Sequence, residues 1–368
     1  MISVEKISQE SEFRNLQTTW NNVLKQSDAD NPFLTWEWLY SWWKFYGDKS
    51  ELMILVARED DKTVALAPLI SRVRPFGFLK IKEILFLGSF GVGSDYLDFI
   101  IARGRESSSV DQIFHYLTRK DHKWDAINLT NIPETSKSIA HVTKACNELG
   151  YFNIENASVV CPSIQLPSTW EEYVSTLSKS MRSNIRRKHN KLSRSAKIEY
   201  EVIRERGDLD AAVNSMIRLN KLRMEAKNLQ GAFKNGKFTE FHQDVLPIFF
   251  QNDFLHLSFL KANNTRIAAL YNFVYNDTCF YYQSGFNPVW EKFSPGTVLF
   301  SLSIQDAIEN GALEYDFLQG DEPYKFGWTN TKRHCVSILI FNKTLMGLWL
   351  YFLFLLKSHI KKTLRRMS

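Results

Sequence analysis

Asp316 sits in an apolar run beside Tyr315, Phe317 and Leu318, and a polar turn carrying Asp321, Glu322, Tyr324 and Lys325 follows it. A carboxylate buried among apolar neighbours has a raised pKa and can take a proton from an attacking amine or hydroxyl. It can equally serve as an acceptor for backbone N–H groups. Tyr324 and Lys325 offer a phenol and an ammonium, which stabilise charge beside a developing oxyanion or a phosphate. Asp321 and Glu322 are candidates for a general base or for orienting an acceptor, although paired carboxylates in a turn are commonly just solvated. Upstream, Ser294-Pro295-Gly296-Thr297 opens a helix whose first N–H groups and positive dipole end suit an anion such as the pyrophosphate of an acyl carrier.

Other candidates lie further off. Asp95 ends a loop with Gly88, Gly91 and Gly93, and is expected to bind an acceptor. From Lys179 to Lys197 eight basic residues, among them Arg182 and Arg186, have no acidic residue between them. Met181, Ile185 and Leu192 mark another side of that helix. The cationic stripe suits coenzyme A phosphates, a tRNA, an anionic glycan or a lipid-linked diphosphate sugar. Trp36, Trp38, Trp42 and Trp43 fall at helical spacing, which favours core packing over sugar stacking. His189 and His334 are isolated, and Cys146, Cys161, Cys279 and Cys335 form no CxxC pair, so neither a metal site nor a disulfide framework is expected.

The elements that must position these groups alternate between helix and strand. Helices are expected over 13–25, 35–46, 110–119, 139–150, 178–195, 209–227 and 238–252, and strands over 52–58, 63–72, 83–87, 96–101, 126–129, 151–166 and 198–203. A hairpin over 255–282, a crossover helix and a parallel return strand over 313–318 close the pattern. The 368 residues, 44% hydrophobic and 23% charged, describe a folded chain of two domains. Each is a helix and hairpin followed by strand, helix and strand, in an α/β fold with a mixed sheet, as after an internal duplication. The boundaries are placed at 1–160, 161–342 and a tail at 343–368. The start, MISVEKISQESEF, has no apolar signal region, so a cytoplasmic location is expected. The apolar stretch 345–356 is too short to span a bilayer and then turns basic, as in a helix lying on the inner membrane face. Packing on the body is the alternative.

The segments YYQSGF, SPGTVLFSLSIQDAIENG and EYDFLQGDEPYKFGW resemble the C-terminal half of the CelD-like acetyltransferases of bacterial polysaccharide loci. That group lies within the GNAT superfamily and is related to Fem-type aminoacyl transferases. NPFLTWEWLYSWWKFYG and GVGSDYLDFI resemble its first domain, and LSKSMRSNIRRKHNKL the start of its second, so that the likeness covers roughly 15–340. It implies tandem GNAT-like domains and an acyltransferase that takes acyl-CoA, acetyl-CoA foremost, as co-substrate without a metal. The donor's pantetheine arm would lie between splayed strands near 280–284 and 314–318, against Ser284, Gly285 and Gly320, with its pyrophosphate at Ser294, Gly296 and Thr297. Asp316, Tyr324 and Lys325 would be catalytic, and Asp95, Arg182 and Arg186 would hold a sugar or lipid-linked acceptor of cell-surface polysaccharide synthesis. The spaced glycines of the common GNAT phosphate loop are missing, and Gly296 alone stands in that place. Transfer from aminoacyl-tRNA to a peptidoglycan precursor is therefore an alternative, and a non-catalytic assembly factor is another.

Overall fold

The computed structural model describes the backbone of residues 2–120 and 123–367, and side chains other than those of 157–158 and 357–367. In chain order the elements are β1 (Ile2–Ile7), α1 (Glu10–Asn15), α2 (Gln17–Lys25), α3 (Trp36–Tyr46), β2 (Glu51–Glu59), β3 (Lys62–Phe76), β4 (Leu79–Phe86), β5 (Ile100–Ile101), α4 (Glu106–Arg119), β6 (Ala126–Pro133), α5 (Lys137–Glu148) and β7 (Phe152–Gln165). There follow α6 (Trp170–Thr176), α7 (Lys179–Ser193), β8 (Ile198–Val202), α8 (Arg206–Ala226), α9 (Gly236–Gln251), β9 (Leu255–Ala262), β10 (Thr265–Tyr275), β11 (Thr278–Phe286), α10 (Pro295–Glu309), β12 (Glu314–Asp316), β13 (Lys332–Phe341) and α11 (Leu345–Met367). Two compact units result: Met1–Ser158 with His334–Ser368, and Val159–Arg333.

In the first unit β1 to β4 pair antiparallel in sequence order, and after α4 the chain returns as β6, parallel to β4. β13 then pairs antiparallel with β6. β2 and β3 are apolar along most of their length and buried on both faces, as strands covered on both sides must be. Thr35 caps α3 by accepting from the Trp38 N–H, and Trp36, Trp38 and Trp42 are buried, which makes this helix part of the core. Alternation alone extends a strand over 96–101, but the strand is confined to Ile100–Ile101. Tyr96 takes a left-handed φ of 54°, and the Asp98 carboxylate accepts the Phe99 N–H at 2.8 Å, so this stretch bonds to itself instead of to a ladder. The helix expected over 13–25 is broken at Leu16 into α1 and α2.

The second unit repeats the order. β8 to β11 pair antiparallel in sequence, α10 crosses over, and β12 returns parallel to β11. β7 completes it, pairing antiparallel with β12. The parallel ladder is short: Thr278, Cys279 and Phe280 meet Glu314, Tyr315 and Asp316, and β11 then runs on to Phe286 without β12 beside it. The chain leaves β12 because Leu318 adopts φ 55°. Asp316 supports that bend, accepting the Leu318 N–H at 2.7 Å.

Candidate functional site

The edge of β11 that β12 abandons opens into a cavity of about 420 Å³ in the second unit. Its wall includes Ser284, Gly285, Gly296, Thr297 and Tyr324, five residues expected from sequence to act together. Three elements bring them there. β11 supplies Ser284 and Gly285. The backbone of α8 presses so closely on Gly285 that a Cβ there would lie 2.2 Å from the Asn220 nitrogen. Asn220 also donates to the Ser284 carbonyl at 2.8 Å, so helix and strand are fixed in register.

α10 supplies the anion-attracting end. Ser294 precedes it in a left-handed conformation, φ 53°, and offers no side-chain cap. Pro295 has no N–H, the Thr297 N–H donates to the Ser294 carbonyl at 3.1 Å, and Gly296 and Thr297 line the cavity at the positive end of the helix dipole. α7 adds a cation at the same place, with Lys188 donating to Thr297 Oγ1 at 3.0 Å. Burial, and secondarily the charge of Arg187, lowers the Lys188 pKa, so an anion bound here would meet a partly desolvated ammonium.

The third contribution is a chain of hydroxyls. Tyr324 Oη donates to Tyr281 Oη at 3.3 Å, Tyr281 Oη and Ser284 Oγ are 2.7 Å apart, and Arg223 donates to Ser284 Oγ. Tyr324 keeps 39% of its surface exposed, yet desolvation first, and the neighbouring Tyr281 phenol second, push its pKa upward. It is a neutral O–H donor at the cavity wall.

The other expected residues stand elsewhere. Asp316 is fully buried, its oxygens taken by the Leu318 N–H and by Arg333 Nη1 at 3.3 Å, and it does not line the cavity. Lys325, also buried, donates to the Gln319 carbonyl at 2.8 Å and pairs with Glu322 at 3.0 Å. Gly320 lies against that pair, where a Cβ would fall 2.7 Å from Lys325 Nζ. Arg182 and Arg186 line an open groove along α7 with Lys179, Arg187, Lys191 and Arg194. Arg182 also closes the end of α6 through the Ser175 and Leu177 carbonyls. Asp95 is buried in the first unit, next to Ser94, whose Oγ accepts from Trp38 Nε1 at 2.9 Å.

Sequence reasoning missed Lys188, Arg223 and Tyr281 as site residues. Lys188 stood inside the basic run, where nothing distinguished it from its neighbours. Tyr281 stood in FYYQSGF, where period-2 alternation pairs it with Gln283, but a bulge at Tyr282 sets it on one face with Ser284 instead, which no local pattern announced. A second depression of about 460 Å³ lies at the opposite ends of these strands, around His256 and Asp306. Asp253, Asp277 and Asp306 outnumber Arg204 and His256 in its lining, and His256 is held by Asp306 at 2.7 Å, which makes it less suited to an anionic donor than the first cavity.

Residues 179–326 match the family model described as an acetyltransferase (GNAT) domain. Among solved structures the chain is similar to FemX, with a TM-score of 0.59, 12% identity, and 95% of this chain and 99% of that one covered. It is also similar to a conserved protein of unknown function from Bacteroides thetaiotaomicron, with a TM-score of 0.54, 12% identity, and 93% and 100% covered. No curated protein matches the sequence significantly. The match assigns a GNAT-type acyltransferase domain to residues 179–326, and the likeness to the solved structures extends over the fold of the whole chain. That domain lies in the second unit, which holds the cavity described above, and domains of this family use acyl-CoA.

Proposed function

We propose that the second unit takes an acyl group from acyl-CoA, acetyl-CoA foremost, and passes it to an amine or hydroxyl of a sugar carried on a nucleotide- or lipid-linked intermediate of cell-surface polysaccharide synthesis. The observation that carries the donor reading is the convergence of Lys188, the α10 N-terminus and the stretch of β11 that runs on beyond β12 on one cavity. The pyrophosphate would sit at Gly296 and Thr297 beside Lys188, and the pantetheine arm would bond the β11 edge in place of the departed β12. The acceptor class rests on the resemblance of the sequence segments to polysaccharide-locus enzymes.

The acceptor's lone pair attacks the thioester carbonyl carbon, and β11 N–H groups beyond Phe280 receive the developing oxyanion. As the intermediate collapses the C–S bond breaks and the thiolate takes the proton of Tyr324, whose raised pKa keeps that proton available at neutral pH. The acceptor's own proton passes to solvent, from which Tyr324 is reprotonated. Asp316 and Lys325 serve the reaction by holding the 316–328 segment that carries Tyr324. Gly320 serves by leaving room for Lys325.

The groove along α7 supports a second reading. Six cations line it with no carboxylate among them, a surface that suits the phosphates of an aminoacyl-tRNA donor. Incubation with a panel of acyl-CoAs and lipid-linked sugars, read by mass spectrometry, decides between the readings. Acylated product that disappears in Tyr324→Phe supports the first. Product formed only with aminoacyl-tRNA and abolished by RNase supports the second.

A further inference from the structure

α11 has two apolar faces, and only one is used within its unit. Met346, Leu350, Tyr351 and Phe354 pack on Ile81 and Phe341, with Tyr351 also stacked on Phe152 at 4.6 Å. On the opposite side Leu345, Trp349, Phe352 and Leu356 recur at helical spacing and are 89, 42, 64 and 58% exposed. The β3–β4 hairpin extends this face. Phe76 meets Trp349 edge-on at 5.6 Å, and after Gly77 turns the chain with φ 60°, Phe78 projects fully into solvent beside Leu79.

We infer that this face docks on an anionic phospholipid bilayer, with α11 lying in the headgroup plane and Phe78 inserted beside it. Charge selects this occupant. From Lys343 to the C-terminus the chain carries Lys343, Lys357, Lys361, Lys362, Arg365 and Arg366 and no acidic residue, and Lys80 is exposed next to the hairpin tip. A protein partner of ordinary surface would not require that one-signed excess, whereas anionic headgroups attract each such cation. No helix among the described residues is long and apolar enough to cross a membrane, which matches a helix that lies on the surface. The combination of a packed face and a bare one explains why the tail is apolar nearly all round.

The test is co-sedimentation of the full-length protein with phosphatidylcholine vesicles, with and without phosphatidylglycerol, for wild type, Phe352→Glu and Phe78→Asp. Thermal unfolding of each variant checks that it is folded. Wild type should pellet preferentially with the phosphatidylglycerol vesicles and less at high salt, and each variant should partition at least about tenfold more weakly. Equal pelleting of wild type and both variants overturns the inference, as does indifference to phosphatidylglycerol. So does a dimer, seen by light scattering, that Phe352→Glu dissociates while no form binds vesicles.

Discussion

Lys188 and Tyr324 carry separate halves of the account. Lys188 acts on the ground state by pairing with a donor phosphate, so Lys188→Ala should weaken acetyl-CoA binding roughly tenfold or more, the scale of one charge-assisted hydrogen bond. Calorimetric titration beside Arg194→Ala, a change confined to the open groove, checks that assignment. Tyr324 acts on the leaving thiolate. Tyr324→Phe should cut kcat by about a hundredfold while leaving the donor Kd nearly unchanged. Because its pKa lies above the ordinary phenol value, the acid form persists at alkaline pH, and the wild-type rate should show no loss attributable to this group below about pH 10. At this scale the sequence was informative about residue type and weak about direction. Gly296 and Thr297 could be named in advance because they open a helix, and Tyr324 because it stands in a polar turn, whereas Ser284, inside β11, followed only from the family resemblance. Lys188 could not be told from the other cations, since which of them turns inward depends on how α7 packs on α10.

Gly285 shows what the elements demand of single positions. Its missing side chain is occupied by the main chain of α8, not by a flexible neighbour, so nothing there can yield. Gly285→Ala should cost about 1–3 kcal/mol of stability and displace α8 from β11, read as a lower denaturation midpoint together with lost acetyl-CoA binding. Helices and antiparallel hairpins were legible because their periodicity and caps are local, as with Thr35 at α3 and Ser178 at α7. The end of a strand is a different matter. β12 stops at Asp316 because a left-handed Leu318 turns the chain away, and β5 shrinks to two residues because Tyr96 takes a left-handed φ and the Asp98 carboxylate bonds the Phe99 N–H. No propensity encodes either event, yet the first opens the donor cavity.

Across the whole chain, each unit runs through four antiparallel strands, a crossover helix and a parallel strand, then takes its last strand from another part of the sequence. β13 closes the first unit and β7 the second. The repeated order was readable from spacing, but the destination of β7 and β13 was not, because pairing partners far apart in sequence leave no local mark. Two buried titratable groups give the units opposite responses to acid. Asp98 is raised to about 6 by burial, against which bonds from Ser136, Ser138 and the Phe99 N–H work. It therefore stabilises fully below its unfolded value, and that contribution is lost as pH rises through about 6, a change of roughly 3 kcal/mol that Asp98→Asn should abolish. His242, lowered to about 3 by burial, contributes above pH 6.5 and loses that contribution as pH falls toward 3. Thermal midpoints of wild type, Asp98→Asn and His242→Phe across pH 4 to 8 read both signs.

The most direct test of the donor site is calorimetric titration of acetyl-CoA into the full-length wild type and into Lys188→Ala. One saturable site is expected in the wild type and a roughly tenfold weaker one in the variant. No binding to the wild type, or identical affinity in the two proteins, would contradict the donor site.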